Sequence, residues 1–194
     1  MLVALLAMTA LPLQADPLVD LQAAIPDAVL DVKYATEDNV TGRRLYPFAA
    51  AYLRRSTAGK LVEAAATLRA KGLRLVIYDA YRPLSVQKAL WAVRPDPRWV
   101  ADPARGSSHN RGGAVDVALA DRAGKTLEMP SRFDEFGPRS RHGSSAGSPG
   151  ARNAASLKAA LEAAGFESLA DEWWHYRDPA SRAWPLLDVP FEDL

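Results

Sequence analysis

The chain has 194 residues, of which 48% are hydrophobic, and this suits one compact domain with its own core. Its 24 lysines and arginines nearly balance 23 aspartates and glutamates, and the absence of any basic block argues against nucleic acid as a partner. Cysteine is absent, so disulfides and thiolate metal ligands are excluded, and a metal must be held by His, Asp or Glu.

The first fifteen residues, MLVALLAMTALPLQA, form an apolar run that predicts a secretory signal. The run is too short and too interrupted by proline for a membrane span, which needs roughly 20 apolar residues. No Lys or Arg precedes it, and an ordinary apolar N-terminal segment is the alternative. We expect a signal peptide at 1–15, a single mature domain at 16–194 and a periplasmic or secreted location, with a cytoplasmic one if the segment is not cleaved.

The remaining sequence alternates helices, short strands and turns without internal repeats. The predicted elements are a strand at 30–34, a turn at 39–43, a helix at 58–71, a strand at 73–78, a helix at 84–93, a turn at 94–97, a strand at 114–119, a hairpin-like turn at 121–124, an exposed loop at 143–150 and a helix at 153–164. This interleaving favours an α+β fold with a largely antiparallel sheet.

Two histidines, each near a carboxylate, form the strongest functional signal. His109 and Asp116 lie on either side of a Gly-Gly pair, which allows a bend that brings both side chains to one point. Glu172 and His175 are three positions apart, and side chains three positions apart point to opposite faces of a regular strand. We therefore expect a bend or irregular turn at Trp173.

Two imidazoles and one carboxylate form a three-ligand zinc site with an open position, and a further carboxylate beside it can act as a general base. The sequence thus predicts a metallohydrolase with ligands His109, Asp116 and His175 and with Glu172 as base. The alternative for Asp116 is to orient an imidazole without binding metal. The third histidine, His142, is predicted to be a surface residue with no metal role.

Five segments carry a family resemblance. SSHNRGGAVD at 107–116 is similar to the S-x-H-x-x-G-x-A-x-D zinc motif of the D-alanyl-D-alanine metallopeptidases, and EWWHY at 172–176 is similar to their second motif. The segments at 31–42, 78–83 and 129–134 resemble the VanX-type D-Ala-D-Ala dipeptidases in particular. The resemblance implies a single-domain, Hedgehog/DD-peptidase-like zinc peptidase fold.

The resemblance also implies an activity: hydrolysis of the D-Ala-D-Ala dipeptide with one Zn²⁺ per chain. His109, Asp116 and His175 would hold the zinc, with Glu172 as general base. Arg82 would stabilise the tetrahedral intermediate, which suits a fixed cation aimed at a developing oxyanion. The alternative for Arg82 is a surface or salt-bridged residue.

The resemblance assigns the two ends of the substrate as well. Asp134 and Tyr34 would bind the amino terminus, and Ser107 would contact the carboxylate. A buried carboxylate that needs an ammonium partner penalises an acylated, longer peptide, so Asp134 is the predicted dipeptide selector, with a helix or turn cap as its alternative. Asp79 is predicted to support Arg82 or the fold.

Two alternatives to a dipeptidase remain. The first is a peptidoglycan DD-carboxypeptidase or endopeptidase of the same fold, which an exported location would favour. The second is a non-catalytic zinc or cell-wall-binding module, which has no need of Glu172 or Arg82. The Trp173–Trp174 pair is predicted to be core rather than pocket wall.

Overall fold

The computed structural model describes residues 16–194, and the predicted signal peptide lies outside this range. No helix within the described range is long and apolar enough to cross a membrane. The strands are β1 (Leu18–Asp20), β2 (Val29–Leu30), β3 (Tyr52–Arg54), β4 (Arg74–Asp79), β5 (Ala114–Ala120), β6 (Glu167–Leu169) and β7 (Glu172–Arg177). The α-helices are α1 (Leu21–Ala24), α2 (Arg55–Ala70), α3 (Leu84–Val93) and α4 (Pro149–Ala163). Short 3-10 helices lie at Lys33–Ala35, His109–Arg111, Pro138–Ser140, Pro179–Ala183 and Phe191–Asp193.

Five strands form the main sheet in the order β2-β4-β5-β7-β6. Strand β2 runs parallel to β4, and the other neighbours are antiparallel. Strands β1 and β3 form a separate antiparallel pair. The predicted α+β fold with a largely antiparallel sheet is confirmed.

The two faces of the main sheet have different partners. Helices α2 and α4 cover one face, where Leu61 and Leu157 pack in the same core as Val115 and Val117 of β5. Side chains alternate along a strand, so Asp116 points to the opposite face. The face opposite Leu61 of α2 and Leu157 of α4 therefore carries Asp116.

A register shift in the central β4–β5 pair brings a second carboxylate to that face. Ile77 pairs with Val117, but the next recorded pair is Asp79 with Asp116, with an irregularity between Ile77 and Asp79. An inserted residue of this kind re-aims the side chain that follows it. The shift places Asp79 beside Asp116 although regular alternation would turn it toward the helices.

The three predicted helices are present, and two of them start earlier than predicted. Helix α3 has the predicted bounds, whereas α2 begins at Arg55. Helix α4 begins at Pro149 because the Ser148 hydroxyl accepts the Ala151 N–H and proline suits the first helical turn. The predicted loop at 143–150 was therefore wrong at its last two residues, which belong to α4.

The predicted strand at 30–34 was also wrong after its first residue. Strand β2 ends at Leu30, and the chain then turns into the 3-10 helix Lys33–Ala35, in which Ala35 N–H donates to the Val32 carbonyl. This turn buries Tyr34 on the side of the sheet that carries Asp116.

His142 is half-buried and not the surface residue that the sequence predicted. Its ring lies 6.0 Å from that of Tyr176, and its Nε2 atom is buried without a hydrogen-bond partner among the described residues. Burial, helped by the charge of Lys158, lowers the pKa of His142 to about 4. The histidine is consequently neutral in the folded protein at physiological pH.

We expect His142 to make the protein acid-sensitive. Its pKa is lower in the folded chain than in the unfolded chain, so the unfolded state alone takes up the proton as pH falls below about 6.5. Stability should therefore fall between that pH and about 4, and His142→Phe should remove of the order of 1 kcal/mol of this loss. Urea unfolding of the metal-free wild type and of metal-free His142→Phe, at neutral and acid pH, tests this prediction. An equal loss of unfolding free energy in the two proteins would contradict it.

Candidate active site

Three side chains converge on the face of the sheet that carries Asp116. Asp116 of β5 and His175 of β7 are paired across the strands, and His109 comes from the 3-10 helix just before β5. His175 Nδ1 lies 2.9 Å from Asp116 Oδ1 and 3.1 Å from His109 Nε2, and the remaining pair is 3.3 Å apart. Ligands about 2.0 to 2.1 Å from a tetrahedral zinc lie roughly 3.3 Å from one another, so the three atoms fit that ion.

A backbone carbonyl fixes the His109 ring. His109 Nδ1 lies 2.6 Å from the Ala80 carbonyl oxygen, which can only accept, so Nδ1 carries the proton and Nε2 presents its lone pair. This second contact is typical of metal-binding histidines. Because the Ala80 carbonyl orients the His109 ring, Asp116 is not needed to orient that ring.

The pKa values of two buried carboxyl groups in the site are shifted in opposite directions. Burial alone would raise the pKa of Asp116, but His109 and His175 hold it well below its usual range. Burial, followed by the charges of Asp116 and Asp134, raises the pKa of Glu172 well above its ordinary value. Neighbouring carboxyls with divergent pKa values are typical of sites that use one as a fixed anion and the other as a proton carrier.

The pairing of β7 is irregular where the sequence predicted a bend. Residues Glu172 to Arg177 form one strand, but on β6 the partner of Tyr176 is Ser168 and the partner of Glu172 is the next residue, Leu169. The irregularity therefore spans Trp173. Glu172 and His175 consequently line the same cavity.

Arg82 is buried and is held from two sides. Its Nε and Nη2 donate to Asp79 Oδ2 at 3.0 and 2.6 Å, and its Nη1 donates to Gln87 Oε1 at 2.8 Å. Nη2 also lies 3.9 Å from Asp116 Oδ2, and the guanidinium stands over the Tyr34 ring. Arg82 is therefore not a surface residue, but it does form a salt bridge, as the alternative also allowed, and its partner Asp79 supports it as predicted.

Asp134 lies at one end of the site with Tyr34. The Tyr34 hydroxyl donates to Asp134 Oδ2 at 3.1 Å, and the Val40 backbone N–H donates to the same oxygen at 3.4 Å. Asp134 has a left-handed backbone with φ of 57°. Burial of its carboxyl group, with repulsion from Asp116, raises the pKa to about 7. Both Asp134 and Tyr34 are directed at the cavity and not at a helix end.

One cavity of about 470 Å³ connects all these groups. Ser107 lines it beside His109, and its backbone N–H and hydroxyl both donate to Asn110 Oδ1. Both tryptophans of the Trp173–Trp174 pair are buried, but Trp174 also forms part of the cavity wall, so the prediction of core rather than pocket wall was right only for Trp173. The eight predicted site residues that line the cavity are Tyr34, Arg82, Ser107, His109, Asp116, Asp134, Glu172 and His175.

Three supporting residues were missed by the sequence reasoning. Gln87 binds Arg82, Asn110 binds both Ser107 and the Arg82 carbonyl, and the Tyr46 hydroxyl donates to Asp79 at 2.6 Å. Gln87 had a usable signal, since a polar residue stands one helical turn before Leu90 on the apolar side of a helix. The roles of Asn110 and Tyr46 depend on contacts between distant segments.

Comparisons with known proteins bear on this site. A family model described as D-ala-D-ala dipeptidase matches residues 14–192. The D-alanyl-D-alanine dipeptidase of Escherichia coli (strain K12) is 40% identical over 175 residues, which cover 90% of this chain and 91% of the relative. That of Enterococcus faecalis (strain ATCC 700802 / V583) is 31% identical over 185 residues, covering 84% and 88%. The vancomycin resistance D,D-pentapeptidase VanY, solved in complex with Zn(II), is 18% identical with a TM-score of 0.44 over 66% of this chain and 73% of that one.

The family match and the two dipeptidase relatives place this chain among the peptidases. Within that class it belongs to the D-ala-D-ala dipeptidase family, whose match covers almost the whole chain. The resemblance carried by the five sequence segments is confirmed.

Proposed function

We propose that this protein is a zinc-dependent dipeptidase that hydrolyses D-Ala-D-Ala to two D-alanines. The observation that carries the proposal is the convergence of eight predicted side chains on one cavity around His109, Asp116 and His175. The names of the relatives from E. coli and E. faecalis support the substrate. The location we propose is periplasmic or secreted, supported by the apolar run at 1–15.

We propose that His109 Nε2, Asp116 Oδ1 and His175 Nδ1 hold one zinc ion per chain. The spacing of these atoms supports this assignment, since each pair is within a few tenths of an ångström of the tetrahedral value. Zinc, when bound, lowers the pKa of a coordinated water to about 7 and polarises a carbonyl group.

Glu172 is the proposed general base. Its carboxylate takes one proton from the attacking water while the water oxygen forms a bond to the peptide carbonyl carbon. When the C–N bond breaks, the same carboxyl group delivers that proton to the departing amine of the second D-alanine. The raised pKa of Glu172 supports the first step, because a carboxyl with a higher pKa is a stronger base.

Arg82 is the proposed stabiliser of the oxyanion. Three of its five N–H groups are engaged by Asp79 and Gln87, which leaves two for the oxygen that gains negative charge. A fixed donor of this kind contributes about 3 to 4 kcal/mol to catalysis. Burial keeps competing water away from the guanidinium.

The proposed substrate orientation follows from the polar groups at the cavity ends. Asp134, supported by the Tyr34 hydroxyl, binds the substrate ammonium, and Ser107 contacts the carboxylate. An acylated peptide has no ammonium to offer, so its binding would leave the Asp134 carboxyl without a charge partner. The cavity therefore favours a free dipeptide over a peptidoglycan stem peptide.

A side-by-side assay tests this function. The zinc-loaded chain 16–194 should release D-alanine from D-Ala-D-Ala and not from an acylated stem peptide ending in D-Ala-D-Ala. Asp134→Asn should lower kcat/KM for the dipeptide by about 100-fold, because a lost bond to a charged group costs roughly 1.5 to 3 kcal/mol. The exposed Asp193→Asn is the matched control.

The pattern of release distinguishes the alternatives. Release from the stem peptide alone would make the protein a DD-carboxypeptidase. Release from neither substrate would favour the non-catalytic cell-wall-binding module. A dipeptidase whose kcat/KM is unchanged in Asp134→Asn would overturn the role of Asp134 while leaving the activity in place.

A further inference from the structure

Gln87 is a fully buried polar residue whose side chain is engaged at both ends. It lies on α3 with no exposed surface. Its Oε1 accepts from Arg82 Nη1 at 2.8 Å, and its Nε2 donates to the Ala101 carbonyl at 2.7 Å. A buried amide is tolerated only when its partners are present, so the two contacts define its position.

The contact with Asp79 alone leaves the Arg82 guanidinium free to pivot. Nε and Nη2 both donate to the same oxygen, Asp79 Oδ2, which is a single fixed point. Nη2 lies 3.9 Å from Asp116 Oδ2, so a second anion attracts the guanidinium toward the metal ligands. Gln87 supplies the second fixed point at Nη1 and opposes that movement.

The other end of Gln87 is fixed to the wall of the cavity. Ala101 and its neighbours Val100 and Trp99 line the cavity, as Arg82 does. Val100 is buried in the same cluster as Leu90 of α3, so this wall is packed against the helix that carries Gln87. Gln87 therefore sets Arg82 relative to the space that the substrate fills.

We propose that Gln87 is a positioning residue that aims the two free N–H groups of Arg82 at the substrate oxyanion. This inference rests on the proposed peptidase function. Gln87 itself does not touch the reacting atoms. Its contribution appears in kcat, because Arg82 meets full negative charge only in the transition state.

Gln87→Met is the first test, since methionine matches glutamine in length and has no hydrogen bond to offer. We expect kcat for D-Ala-D-Ala to fall by about tenfold with KM nearly unchanged, less than the roughly 100- to 1,000-fold for losing an oxyanion donor. Gln87→Glu keeps the acceptor for Arg82 and should retain more of kcat than Gln87→Met. Gln22→Met, a change at a glutamine outside the site, is the control and should leave kcat unchanged.

A double-mutant cycle separates positioning from general packing. In an Arg82→Ala background, Gln87→Met should lower kcat by less than about twofold, because the group that it positions is gone. The same tenfold loss in that background would overturn the proposal.

A crystal structure of Gln87→Met gives a readout that needs no activity. The Arg82 guanidinium should be displaced toward Asp116 or spread over more than one orientation, and an unmoved guanidinium would overturn the proposal. An inactive wild type, in contrast, would contradict the proposed function and leave this structural test in place.

Discussion

Replacing Glu172 by glutamine should lower kcat for D-Ala-D-Ala by about 100- to 10,000-fold while the protein still binds one zinc. Glutamine preserves the shape of the side chain but cannot accept the proton of the attacking water. Zinc should be retained because the three converging ligand atoms belong to His109, Asp116 and His175. Steady-state kinetics with zinc content measured on the same sample provide the test.

The stability of Glu172→Gln distinguishes loss of the general base from loss of the folded structure. The pKa of Glu172 is raised by burial and by Asp116 and Asp134, so its ionisation opposes folding once pH exceeds the ordinary carboxyl value. Glu172→Gln should therefore be at least as stable as the wild type at neutral pH in the absence of metal. The exposed Glu63→Gln serves as matched control. Full activity in Glu172→Gln would eliminate Glu172 as the base.

The second large effect concerns the metal. We expect a chelator to abolish dipeptide hydrolysis and zinc to restore it in the wild type, whereas His175→Ala should stay inactive at the same zinc concentration. The proposed site has three ligands, and removing one would open a coordination position and weaken zinc binding. Isothermal titration should give one zinc per wild-type chain.

Thermal unfolding adds a readout that does not depend on substrate. A ligand present at 100 times its Kd stabilises the folded state by about 2.7 kcal/mol, so zinc should raise the Tm of the wild type and not that of His175→Ala. His142→Gln is the matched control, because this histidine lies outside the group of ligands. A normal rise of Tm in His175→Ala would refute the assignment of His175 as a ligand.

The sequence predicted helix bounds best where a residue marks the start of the helix. Helix α3 has its predicted bounds because Pro83 precedes it and its apolar positions recur over the full length. The three-residue strands β1, β3 and β6 were not predicted, since alternation over so few residues carries little signal. Their existence depends on the partners that pair with them.

The site was predictable where chemistry selects the residue type. Imidazoles and carboxylates have few equivalents as zinc ligands or bases, so His109 and Glu172 stood out in the sequence. The Ala80 carbonyl that orients His109 has no sequence signal, because every residue carries a carbonyl. Asp79 reaches the site through a register shift in the β4–β5 pair, and that shift follows from tertiary packing.

The ligand set joins parts of the chain that are far apart in sequence. His109 and His175 are separated by 66 positions, with α4 and β6 between them, and His175 meets Asp116 only when β7 has paired with β5. Closing a loop of that length costs conformational entropy before any ligand contact forms. If these residues bind zinc as proposed, we expect the zinc site to form late in folding, so that zinc binding would report on the native β5–β7 pairing.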